Sequence, residues 1–84
     1  NGINQDTAAL ASAPALAVFG GTLYAAWSEV ITADQIRVKR LVSGTWSSVD
    51  GGGANGLNYD PTHSATDVSL AVLGNKLYAV WIEY

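Results

Sequence analysis

The chain has 84 residues, four Lys or Arg against seven Asp or Glu, a formal charge of −3 and no cysteine. A domain this short buries roughly 60% of the surface its unfolded chain exposes, and with His63 as its one histidine it has neither disulfides nor a Cys/His zinc site to steady it. The acidic balance, with only Arg37, Lys39, Arg40 and Lys76 basic, excludes a phosphate-binding nucleic-acid surface, and no apolar run approaches the roughly 20 residues of a membrane-crossing helix.

In chain order, NGINQD (1–6) reads as a polar loop. ALAVF (15–19), Gly20-Gly21 and TLYAAWSEV (22–30) read as a hairpin, because a two-residue Gly-Gly link supplies the positive φ that primed turns demand. ITAD then bends the chain. QIRVKRLV (35–42) alternates, with Ile36 and Val38 facing one way and Arg37 and Lys39 the other. Ser43-Gly44 makes the next tight turn, and TWSSVD (45–50) is a fourth strand. A long connection, 51–67, leads to SLAVL (69–73), a Gly74-Asn75 turn and KLYAVWIEY (76–84). No segment has the apolar period of a helix.

The dominant signal is an internal repeat. Laying residue 1 on residue 55 aligns 1–30 with 55–84 without a gap, and fourteen of the 30 pairs are identical. The identities include Asn4/Asn58, Asp6/Asp60, Leu16/Leu70, Tyr24/Tyr78, Trp27/Trp81 and Glu29/Glu83. Four-stranded antiparallel units at a constant spacing are what a propeller blade requires. The hairpin strands are apolar on both faces, so both faces need cover, as between neighbouring blades. Ala15, Ala17, Ala25 and Ala26 let innermost strands crowd near an axis, while polarity rises toward the fourth strand. The expected fold class is all-β: a single propeller fragment with a four-stranded antiparallel β-propeller-type blade over 13–50, an inter-blade loop over 51–67 and half of a second blade over 68–84.

The strings LAVxGxxLYAxWxE, QIRVKRL, GTW and NGxNxD together resemble the blade repeats of bacterial secreted β-propellers of the kelch or sialidase-like kind. The resemblance spans essentially the whole chain. Sialidase-type blades often carry an Asp-box, roughly Ser-x-Asp-x-Gly-x-x-Trp, between their third and fourth strands. Here Ser43-Gly44-Thr45-Trp46 keeps a Gly and a Trp and lacks the aspartate, a departure from that branch.

Trp27/Trp81 with Glu29/Glu83 puts an aromatic beside a carboxylate on one strand face, as a sugar-stacking site would. The pair occurs in both repeats, however, and a residue required once per blade is normally part of its packing or hydrogen bonding. Asn4, Asp6, Asn58 and Asp60 either close turns by bonding their own backbone two residues on, the reading preferred here, or offer oxygens to Ca²⁺. The spacing is not that of a dense calcium loop, and no metal or other cofactor is expected. His63 aligns with Ala9 and reads as a solvated loop residue. Arg37 and Arg40 point to opposite faces of their strand and cannot converge. There is no phosphate loop and no Ser-His-Asp set.

With 13% charged residues and many Gly, Ser, Thr and Asn, the composition suits an extracellular or cell-surface protein. No methionine is present, so Asn1 is not expected to be a translation start. The expected function is non-enzymatic: a propeller fragment acting as scaffold or as a glycan- or protein-binding surface, with the 51–67 loop the place for a ligand. The alternative is a fragment of a sialidase-like glycoside hydrolase, inactive alone. The expected partners are the remaining blades of a longer chain, or a second copy paired along strand 76–84, where Tyr78, Val80, Trp81, Ile82 and Tyr84 lie near an unpaired edge. Neither nucleic acid nor membrane insertion is expected.

Overall fold

The computed structural model describes residues 10–30, 33–53 and 55–84, with side chains from residue 14 onward. It is all-β, with six strands and no helix among the described residues: β1 (Leu10–Phe19), β2 (Thr22–Val30), β3 (Asp34–Val42), β4 (Thr45–Ser48), β5 (Ala65–Leu73) and β6 (Lys76–Glu83). The first four form an antiparallel sheet in chain order, and β5 and β6 form a separate two-stranded sheet. The turn chemistry explains the order. Gly20 and Gly21 sit at φ 59° and 78°, so the β1–β2 link twists with its strands, and Ser43-Gly44 repeats this at φ 51° and 80°.

Three boundaries depart from the sequence expectation. β1 begins at Leu10 rather than near residue 13 or 15, and β5 begins at Ala65, inside the expected 51–67 loop. The cause is shared. Each strand carries a bulge at the same repeat position, between Ser12 and Ala15 and between Thr66 and Ser69. A bulge shifts the two-residue alternation, so the segment before it loses its strand signature. In β5 the bulge holds Asp67 at φ 57°, a conformation Asp tolerates better than most residues. The fourth strand is also shorter than expected, ending at Ser48 rather than residue 50.

That early end leaves half of β3 without a neighbouring strand. β4 pairs only with Lys39–Val42. The outward groups of Asp34, Ile36 and Val38 are instead met by the connection that follows. The Asp34 amide donates to Ser64 Oγ (2.9 Å) and its carbonyl accepts from Asn58 Nδ2 (2.8 Å). The Ile36 amide donates to Asn58 Oδ1 and its carbonyl accepts from the Leu57 amide, both at 2.9 Å. The Val38 amide donates to Asp50 Oδ2 (2.9 Å) and its carbonyl accepts from the Val49 amide (3.0 Å). A loop thus completes the sheet edge, which keeps buried backbone groups paired.

Register divides the first sheet into two faces. Tyr24, Ala26, Ser28, Ile36 and Val38 share one face; Leu16, Val18, Leu23, Ala25, Trp27, Glu29, Gln35 and Arg37 share the other. The β5–β6 hairpin lies across the first face. There Ala26, Ile36 and Val38 form a core with Ala65 and Val68, and Tyr24, Leu57, Leu70, Ala79 and Trp81 pack against it. Buried aliphatic side chains of this kind each contribute about 1.5–3 kcal/mol, less for alanine. Ala25, Trp27 and Glu29 are buried as well, so β2 is covered on both faces along its second half.

Candidate functional site

The second-repeat members of the recurring polar set, Asn58, Asp60 and Glu83, meet where the 55–64 connection lies between β3 and β6. Trp and Glu two apart on a strand share a face, and in each repeat the indole donates to the carboxylate: Trp27 Nε1 to Glu29 Oε1 at 2.8 Å and Trp81 Nε1 to Glu83 Oε1 at 3.1 Å. Glu83 then accepts the backbone amides of Tyr59 (2.8 Å, on Oε1) and Asp60 (2.7 Å, on Oε2). Asn58 is buried and saturated, since besides its two β3 contacts its Nδ2 donates to the His63 carbonyl at 2.7 Å. One segment of six residues is therefore held on both sides, by β3 through Asn58 and by β6 through Glu83.

Asp60 closes a turn two residues on, its Oδ1 accepting the Thr62 amide at 3.0 Å and the Thr62 hydroxyl at 2.7 Å. Asn58 behaves differently, reaching another strand rather than its own backbone two residues ahead. His63 is exposed, with its Nε2 3.9 Å from Asp60 Oδ2. Asn4 and Asp6 lie outside the described residues. Among the described residues no group of three His, Cys, Asp or Glu is placed to hold a metal ion.

The expected edge residues separate into two sets. Tyr78, Val80, Ile82 and Tyr84 are exposed, whereas Trp81 points the other way and packs against the core. Alternation along the strand is the reason. Replacing Trp81 would consequently disturb the packing between the sheets rather than test an exposed edge.

The environments of two residues came only with the structure. Arg37 faces opposite to Ile36 and Val38, as the alternation implies, and is buried there, at 2% exposure; its Nη2 donates to the Gly53 carbonyl at 2.6 Å and its Nε lies 3.5 Å from Asp50 Oδ2. Asp50, expected as the end of a strand, is a buried hub that also accepts the Gly52 amide at 2.9 Å. The signal for Asp50 was present in Asp50-Gly51-Gly52-Gly53, since Asp before Gly is a turn former. The burial of Arg37 had no local signal, because a cation at an alternating position reads as outward. Gln35, also buried, spans the same connection, its Oε1 accepting the Gly56 amide (3.0 Å) and its Nε2 donating to the Pro61 carbonyl (2.8 Å).

Each recurring carboxylate among the described residues, Glu29, Asp60 and Glu83, is thus engaged as a hydrogen-bond acceptor within the framework. No family model, no curated protein and no solved structure matches this chain.

Glu83 supplies a pH test of this junction. The Trp81 indole, followed by the Asp60 and Tyr59 amides, holds its carboxyl below the usual glutamate value against the opposing effect of desolvation. Asp60 is lowered too, mainly by the Thr62 hydroxyl and amide. A carboxylate depressed in the folded state adds stability that is present above its unfolded pKa and lost as pH falls through its folded one. Thermal melts followed by circular dichroism should show native protein losing stability as pH drops below about 4. The Glu83→Gln variant should start less stable at neutral pH and lose less on acidification. Parallel losses in both proteins would show that Glu83 does not supply the effect.

Proposed function

We propose that this chain is a non-enzymatic repeat module of the β-propeller type, a blade and a half, that works outside the cell as a scaffold presenting its connecting loops to a glycan or protein. The observation that carries this reading is the use made of the repeated polar residues. Trp-x-Glu closes the same internal hydrogen bond in both copies, and Asn58 and Glu83 fasten the connection between repeats. A group needed once per repeat for that purpose is not a free catalytic acid. The packing of the second hairpin on one face of the first sheet also supports a propeller-type stack, as does the exposure of β4, where an outer rim is expected.

The sialidase-like alternative finds no support in the arginines. Arg37 pairs across the sheet with Trp27 and is buried, while Arg40 pairs with Tyr24 on the opposite face. They do not converge on an acidic substrate.

Within the connection Tyr59 stands out, at 95% exposure, with its backbone anchored by Glu83. An exposed aromatic ring on a fixed backbone is a surface on which a sugar ring can stack. The test is a glycan array probed with native protein and with Tyr59→Ala, alongside a panel of fluorogenic glycosides. The expected result is array binding weakened by Tyr59→Ala and no glycoside turnover. Turnover abolished by Glu29→Gln or Glu83→Gln would overturn the non-enzymatic reading, and array binding indifferent to Tyr59 would remove this loop as the ligand surface.

A further inference from the structure

The two sheets end in β1, β4, β5 and β6, and all of these edges but one are blunted against further pairing. β1 carries Pro14 and the bulge between Ser12 and Ala15. β5 carries the matching bulge, with Asp67 at φ 57°. β4 is four residues long, and the part of β3 beyond it is closed by Asp50, Leu57 and Asn58. Prolines, bulges and short strands are the usual defences of an exposed edge. β6 runs from Lys76 to Glu83 without proline or bulge, and its one lysine stands at the start. The Tyr84 amide donates to the Ser64 carbonyl, so the backbone groups of Tyr78, Val80 and Ile82 also face β5. Those of Ala79, Trp81 and Glu83 face the other way, where no strand follows among the described residues. In the first repeat the equivalent edge, that of β2, is occupied by β3: Ala25 pairs with Lys39, Trp27 with Arg37 and Glu29 with Gln35.

We infer that the β6 edge binds a single extended segment of another polypeptide by strand addition, in the antiparallel register that β3 takes on β2. The chemistry of the segment follows from what flanks it. Shifted by one repeat, the register sets the counterparts of Ile36 and Val38 beside Ile82 and Val80, both exposed, where aliphatic residues make cross-strand contacts. The alternate positions fall on the face of Trp81 and Glu83, near the exposed Asp60 carboxylate, where basic or amide side chains match the acidic charge. The fitting segment therefore alternates apolar and basic residues, as QIRVK (35–39) does. A second folded copy fits less well. Its one unblunted edge is its own β6, and two-fold pairing would set both Trp81 faces on one side, each already filled by its own core and connection. The inference does not rest on the glycan-presenting role, and its failure would leave that reading untouched.

The test adds a blocked peptide of residues 34–42 (DQIRVKRLV) to the native chain at up to about 1 mM, with a scrambled peptide of equal composition and charge as control. Amide hydrogen exchange followed by NMR is the readout. The expected result is saturable binding of one peptide per chain, with exchange slowed at Ala79, Trp81 and Glu83 and little changed at Tyr78, Val80 and Ile82. Ala79→Pro removes one outward amide at a place where an edge strand tolerates proline, and leaves the ladder to β5 intact. It should weaken the peptide about tenfold, the equivalent of roughly 1.4 kcal/mol or one lost hydrogen bond. Circular dichroism shows whether this variant folds; if it does not, Val80→Lys at its exposed position takes its place, setting a charge against the apolar residues of the peptide. Four results would overturn the inference. They are no binding at the highest concentration, equal binding of the scrambled peptide, slowed exchange confined to other strands, and a native dimer in light scattering that keeps the peptide off β6. The last would give the edge to a second copy.

Discussion

Asp50→Ala is expected to destabilise the fold by about 4 kcal/mol, a large part of the roughly 4–13 kcal/mol available to a chain this size. Three groups lose a contact at once. The Val38 amide loses Asp50 Oδ2, the Gly52 amide loses Oδ1, and the buried Arg37 guanidinium loses its counter-charge 3.5 Å away. The last loss dominates. Arg37 already has Nε and Nη1 without a hydrogen-bond partner, so the Gly53 carbonyl becomes its main remaining support among the contacts described. Removing one member of a buried pair leaves an uncompensated charge, which costs more than the pair itself contributes. Urea denaturation provides the measurement, read as a fall in midpoint at constant slope. Replacing both partners, Asp50→Ala with Arg37→Met, should recover part of the loss. A double variant less stable than Asp50→Ala would show that Arg37 is held by something other than its charge partner.

Gly56→Ala should be the second most damaging single change, at about 3 kcal/mol. The reason is proximity rather than backbone conformation. A Cβ at position 56 would overlap the Ile36 carbonyl oxygen and come within 2.9 Å of its carbon and 3.1 Å of the Ile36 nitrogen. The obstacle is backbone of a central strand, which cannot swing aside as a flexible side chain would. The connection must retreat, and with it go the Leu57 amide on the Ile36 carbonyl and the Gln35 contact to the Gly56 amide. Asn58, two residues on, is dragged from the Ile36 amide. Gly53→Ala is the matched comparison, because a Cβ there meets nothing within 4 Å. It should change stability by less than about 1 kcal/mol in the same titration. Equal effects at the two positions would mean that the loop does not depend on its close approach to β3.

Both results concern one device, a loop that finishes a sheet. Its motif was visible as NGxNxD, and its recurrence marked it as structural. What it does was not visible. Asn and Asp in a loop suggest local turns, and Asp60 makes one with Thr62. Asn58 instead supplies a side-chain amide to a strand more than twenty residues earlier, bonding Ile36 and Asp34. Local composition holds no record of a partner that distant. The short reach of β4 is a related case. Asp50 before Gly51 marks a turn, but it does not show that pairing stops at Ser48 because Asp50 turns its carboxylate into the edge.

By itself the sequence determined the strand order, the hairpin turns and the duplication, because these rest on local chemistry. Gly-Gly and Ser-Gly dictate tight turns, alternation dictates faces, and fourteen identities dictate that the two hairpins share one form. Only the tertiary structure decided which face of the first sheet receives the second hairpin, that Arg37 is buried with Asp50, and that Trp81 turns inward while Val80 and Ile82 remain open. Strand alternation states that two faces exist and differ. Which of two apolar faces is covered depends on how far the connection reaches and what it docks on, and those are long-range contacts.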